Sequence, residues 1–100
     1  MKPQDLSDGL VMRNATAEDL PAILEDYRIV HGVGPIDGMR AIFERRPRFS
    51  WEDCFVIVKQ ESGEVVSTLL LLKGAWTIDG IQVPTAEMEA VGTLEAYRYR

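Results

Sequence analysis

The chain has 100 residues, a length that holds one domain or part of one. Its 46% hydrophobic content supports a single core and argues against a disordered chain. Asp and Glu number 16 against 11 Lys and Arg, so the net charge of −5 argues against nucleic acid as a general partner.

Residues 1–9 read as a polar tail, and MKPQDLSDG lacks the basic-then-apolar order of a signal sequence. Residues 10–15 (LVMRNA) predict a short strand, with Val11 and Arg13 on one face and Met12 on the other. Thr16 then offers a cap, and Asp19 follows at capping-box spacing. Glu18 and Asp19 place negative charge at the positive end of the helix dipole. Leu20, Ile23, Leu24, Tyr27 and Val30 recur at helical spacing and predict one apolar face. Pro21 is tolerated in the first turn. His31, Gly32, Gly34 and Pro35 end this helix, and His31 reads as a terminal cap. Because Gly32 and Gly34 follow a helix rather than a strand, they are not a dinucleotide fingerprint.

A second helix is predicted over 39–46, anchored by Ile42 and Phe43 and closed by Pro47. Arg40, Arg45, Arg46 and Arg48 form a basic cluster. It reads as a solvated helix end, with guidance of an acidic ligand as the alternative. Residues 49–53 read as a connection, and 54–60 (CFVIVKQ) as a strand. Cys54 at its start reads as a small buried hydrophobe, and Trp51 and Trp76 as packing residues. Residues 61–64 predict a hairpin turn into a strand over 65–72, whose continuously apolar end predicts cover on both faces. Short strands over 75–78 and 81–83 flank Asp79-Gly80, a strong hairpin signal. Pro84 marks an interruption that suits an edge or a strand start, 86–93 (AEMEAVGT) a further strand, and 95–100 a helical or loop segment. The apolar runs 55–58 and 68–72 are too short to span a membrane. A cytoplasmic protein with no membrane partner is expected. One cysteine and one histidine exclude a disulfide framework and predict no metal site. The order of strand, two helices, then antiparallel strands predicts an α+β fold with helices packed on a sheet.

Two stretches resemble the GNAT N-acetyltransferase superfamily. Residues 13–23, RNATAEDLPAI, resemble the opening strand and helix of its domains. Residues 91–100, VGTLEAYRYR, resemble the end of the fourth core strand and the start of the acetyl-CoA pyrophosphate loop. In the family that loop runs Gln or Arg, two residues, Gly, one residue, then Gly or Ala. Arg98 would be its first position, with Tyr99 and Arg100 next, and the glycines would fall beyond residue 100. The resemblance implies a GNAT-like, mostly antiparallel central sheet truncated after the fourth core strand. Residues 10–100 are then expected to be an incomplete domain, marginal as a fold, prone to associate along its last strand and without turnover alone.

The implied activity is acetyl transfer from acetyl-CoA to a primary amine, on a small molecule or a peptide. Val91, Gly92 and Thr93 would present backbone groups to the pantetheine arm, and Arg98, Tyr99 and Arg100 would lie at the pyrophosphate. Gly92 inside a strand also fits a bulge or a close backbone approach. The amine must lose a proton before it attacks, and Glu87, with Glu89 on the same strand face, would supply the carboxylate base. Read by alternation alone, Glu87 and Glu89 are the solvent-facing half of a strand. The alternative to the enzyme is a non-catalytic α+β binding module.

Overall fold

The alternation of burial along residues 54–59 shows what organises this molecule: Cys54, Val56 and Val58 are buried, and Phe55, Ile57 and Lys59 less so. In a computed structural model, which describes residues 2–45 and 49–98 without the side chains of 89–91, this segment is the middle of five strands. They are β1 (Gln4–Asp5), β2 (Leu10–Asn14), β3 (Cys54–Lys59), β4 (Val65–Ile78) and β5 (Ile81–Thr93). Each pairs antiparallel with its sequence neighbour, in the order β1-β2-β3-β4-β5. The helices α1 (Leu20–His31) and α2 (Ile36–Arg45) connect β2 to β3.

Both helices cover one face of the sheet. Ile23 and Leu24 of α1 and Met39 and Phe43 of α2 form one core with Cys54, Val56, Val58, Leu70 and Leu72. Ile23, Val56 and Leu70 are fully sealed from solvent, and such side chains each contribute roughly 1.5–3 kcal/mol by burial. Phe43, Phe49 and Trp51 extend the core as an aromatic cluster, with ring centroids 4.8–5.6 Å apart. Cys54 packs here as expected, and burial pushes its thiol up to about 12, so it is no nucleophile at neutral pH.

The entry to α1 follows the capping-box expectation. The Thr16 N–H donates to Asp19 Oδ2 at 2.8 Å. Arg13, at the end of β2, adds a bidentate pair to the same carboxylate at 2.7 and 2.9 Å. The Arg13 hydrogen bonds, ahead of the opposing effect of burial, hold Asp19 below the usual carboxylate range. The first turn is a 3₁₀ turn over Ala17–Asp19, and Pro21 enters only after it. His31 closes α1 with its ring against Tyr27, centroids 4.5 Å apart.

Several expectations are corrected. The tail is not featureless: Gln4 and Asp5 pair with Met12 and Val11. Between them Ser7, Asp8 and Gly9 turn the chain at φ of 69°, 53° and 73°. Helix α2 begins at Ile36, before the expected residue 39, and its buried anchors are Met39 and Phe43, with Ile42 half-buried. The segments over 65–72 and 75–78 are one strand, as are those over 81–83 and 86–93. Pro84 does not break β5, because β5 is the edge of the sheet and a missing N–H can point outward there. The apolar end of β4 is covered on one face only. Thr68, Leu70 and Leu72 are buried beneath the helices, while Ser67, Leu69 and Leu71 are half-exposed. On that open face Met12, Phe55, Ile57, Leu69 and Met88 line a shallow apolar groove of about 560 Å³.

Trp76 is not a packing residue but is 60% exposed, on the far part of the β4–β5 hairpin. The pairs Trp76–Val83 and Ile78–Ile81 place four exposed apolar side chains on one face of that hairpin. The 100-residue chain is therefore expected to self-associate, and a double change Ile78→Lys, Ile81→Lys to suppress it without lowering the melting temperature. Sedimentation velocity across a concentration series measures this. Unchanged concentration dependence in the double variant would place the contact elsewhere.

Candidate active site at the end of the edge strand

Strand β5 loses its regular pairing near its end. Thr68 opposes Gly92 and Leu70 opposes Glu89, so two residues of β5 face the single Leu69. This bulge bends the strand just before Gly92. Past it, the Leu94 N–H donates to the Val66 carbonyl at 2.9 Å. Alternation in the antiparallel ladder then turns the Gly92 backbone inward, and the Thr93 N–H and carbonyl outward to the free edge. Arg98 Nε donates to that Thr93 carbonyl at 3.1 Å. A 3₁₀ turn over Glu95–Tyr97 brings it back to the strand end.

The side chains around this edge form a groove of about 590 Å³. The β1–β2 turn supplies Ser7 and Asp8, the sheet supplies Ser67 and Thr93, and the last turn supplies Tyr97 and Arg98. The Ser67 and Thr93 hydroxyls are hydrogen-bonded at 2.8 Å on its floor. Lys59 Nζ lies 5.8 Å from the Tyr97 ring centroid, so a second cation stands near. The Tyr97 hydroxyl holds Lys59 above its usual range.

Gly92 is required on the other face of the strand. A Cβ there would stand 3.3 Å from Asp26 Oδ1 and from Val30 Cγ2. The backbone at Gly92 is thus closely approached by the Asp26 and Val30 side chains of helix α1. Asp26 is 2% exposed, and burial pushes its carboxyl up to about 6, against the opposing pull of His31 and the Thr68 hydroxyl.

Of the residues singled out by sequence, the structure brings Gly92, Thr93 and Arg98 together. Val91 contributes backbone to β5, and its side chain, like that of Glu89, lies outside the described residues. Tyr99, Arg100, Arg46 and Arg48 also lie outside them. Glu87 is exposed and pairs with Leu72, on the helix-side face of the sheet. It stands apart from the groove that Thr93 and Arg98 line. Arg40 reaches Asp37 of its own helix at 3.8 Å. Sequence reasoning missed Ser67, Tyr97, the Ser7–Asp8 turn and Asp26. The signal for Asp26 was present, since it lies three residues after Ile23 and four before Val30, within the core-facing stripe. Among the described residues no group of three His, Cys, Asp or Glu side chains could hold a metal. None of their helices is long and apolar enough to cross a membrane.

No family model matches the sequence, and no curated protein matches it. Solved structures do. Saccharomyces cerevisiae N-myristoyltransferase with bound myristoyl-CoA superposes with a TM-score of 0.75 at 13% identity, over 98% of this chain and 26% of that one. A GCN5-related N-acetyltransferase from Anabaena variabilis gives 0.65 at 20% identity, over 90% and 22%. One from Kribbella flavida gives 0.68 at 21% identity, over 91% and 23%. The chain spans about a quarter of the length of these proteins. The fold is that of the GCN5-related N-acetyltransferases, present in part, and the resemblance of the opening and closing stretches is matched by the architecture between them.

Proposed function

We propose that this chain carries part of a cytoplasmic N-acetyltransferase site, which passes an acetyl group from acetyl-CoA to a primary amine on a small molecule or peptide. The observation that carries the reading is the end of β5. A bulged edge strand turns the Thr93 backbone outward, above a groove of about 590 Å³ with Arg98 at its rim. Outward N–H and carbonyl groups suit an extended amide-bearing chain such as pantetheine, which would add to the sheet as a short strand. Arg98 carries the fixed positive charge suited to phosphate. In this reading Val91, Gly92 and Thr93 hold the acyl arm, and Arg98 with Tyr99 and Arg100 holds the pyrophosphate.

The acceptor amine must be neutral to attack. Glu87 and Glu89 occupy the helix-side face of β5 by register, opposite Leu72 and Leu70. Either would take the amine proton, directly or through water. Bound acetyl-CoA would supply the activated acyl carbon, and the protein's part is to align it along the strand and to receive the proton.

Titration of acetyl-CoA into ¹⁵N-labelled protein tests this. Shifts are expected at the Gly92, Thr93 and Arg98 amides, and Arg98→Ala should weaken binding about tenfold, as the loss of one charge-assisted contact does. Unmoved amides at millimolar acetyl-CoA would end the acetyltransferase reading, and a non-catalytic binding module would replace it.

A further inference from the structure

Asp26 is a buried carboxylate in a place that packing does not require. It lies on the core face of α1, 2% exposed. Both oxygens are sealed from solvent, and among the described residues neither makes a hydrogen bond of good geometry. An anion in that state costs stability, and such costs are retained where a site uses the charge. Its Oδ1 stands 3.3 Å from the Cβ position of residue 92. The carboxylate therefore rests on the backbone of β5 one residue before Thr93, whose N–H and carbonyl face the free edge. Only the thickness of an edge strand without a side chain at that point separates them. His31 on the same helix and the Thr68 hydroxyl on β4 favour the charged form. On β5, Gly92 offers no side chain, and Glu89 holds the neighbouring position of the same face by register.

We propose that Asp26 is a positioning residue of the transfer site, whose anion, from behind Gly92, draws a cationic amine to the strand edge where the acyl thioester would lie. The proposal rests on the acetyltransferase reading. The bound ammonium first gives one proton to the carboxylate base, directly or through water. As the neutral nitrogen then attacks, the N–C bond forms and the carbonyl pair moves to oxygen, so nitrogen becomes positive again. Collapse restores the carbonyl and breaks the C–S bond. The thiolate leaves, and the second proton on nitrogen passes to the thiolate or to water. A fixed anion one strand away stabilises that positive nitrogen through space. Protonated Asp26 does not.

The test uses the full chain, with ¹³C-labelled aspartate followed by NMR from about pH 4 to about pH 8. Acetyl-CoA is present, with n-butylammonium as the cationic probe and n-butanol as its neutral counterpart. Butylammonium is expected to lower the Asp26 midpoint by about half a pH unit or more, and butanol to leave it in place. In Asp26→Asn, butylammonium affinity should fall about tenfold while acetyl-CoA affinity is kept. A midpoint indifferent to butylammonium, with acetyl-CoA still shifting Gly92 and Thr93, overturns the proposal and spares the acetyltransferase reading. If acetyl-CoA shifts neither residue, that reading fails and the proposal falls with it. Should Asp26→Asn not fold, the titration of the unaltered protein decides alone.

Discussion

Asp26→Asn is expected to make the protein more stable at pH 7.5, by about 1–3 kcal/mol, and to lose about 1.4 kcal/mol of that advantage by pH 5. The Asp26 carboxyl is raised from 3.8 to about 6 in the folded chain, first by burial. A raised acid binds its proton more tightly folded than unfolded. The folded state is therefore favoured as pH falls through about 6, and the penalty is fully present above that value. A shift of about two units corresponds to about 3 kcal/mol. An asparagine removes the charge but buries an amide that finds few partners, so the net gain is smaller. Asp19 works in the opposite sense. The Arg13 hydrogen bonds lower its carboxyl, so its contribution is lost as pH falls below the carboxylate range. That contribution is common to both proteins and cancels in their difference. Urea unfolding of both at pH 5 and pH 7.5 measures the effect. An equal gap at the two pH values would show that charge is not what position 26 costs.

The local signals of this sequence were legible where one physical rule acted without competition. Thr16 and Asp19 announced the start of α1, and both serve there. The β-branched and aromatic run over 54–60 announced β3, and Asp79-Gly80 announced its turn, with Asp79 at φ 49° and Gly80 at 80°. The misreadings arose where tertiary context overrode a local rule. Pro84 suited an edge, and β5 is the edge, but the interruption expected there splits no strand, because an edge strand pairs on one side only. Gln4 and Asp5 carry no strand pattern, and they pair because β2 offers them an edge. The run over 68–72 looked buried on both faces because composition cannot say how many layers cover a sheet.

The site divides in the same way. Gly92, Thr93 and Arg98 were legible through the resemblance of VGTLEAYR to a strand end and loop. Their meeting in one groove depends on the Arg98 hydrogen bond to Thr93 across five residues, which spacing alone does not show. Ser67 was hidden because its role comes from register with Thr93, 26 residues away. Asp26 was hidden by an assumption, that the residues of an amphipathic stripe are apolar. A carboxylate in such a stripe is a local violation of pattern, which is where a functional role is sought first.

Gly92→Val is expected to destabilise the protein by about 1–3 kcal/mol and to abolish measurable acetyl-CoA binding. The backbone at Gly92 is not in the left-handed region, so the cost is not one of conformation. It comes from space. A Cβ would stand 3.3 Å from Val30 Cγ2 and from Asp26 Oδ1, and 3.4 Å from Val30 Cβ. Alanine would ask these neighbours to yield by a few tenths of an ångström. Valine adds two methyl groups aimed at a β-branched side chain that has little rotamer freedom in a helix. Helix α1 must then lift from β5, or the strand end must move outward and carry the Thr93 carbonyl away from Arg98. Either movement disorders the edge on which binding is proposed to depend. The double variant Gly92→Val, Val30→Ala separates packing from any direct role of the glycine. Removing the Val30 methyl groups reopens the space, so part of the lost stability should return, with a favourable coupling of about 1 kcal/mol in the double-mutant cycle. Additive losses would mean that α1 and β5 do not meet at this contact. A Gly92→Val protein that unfolds at the same urea concentration as the parent would mean the same.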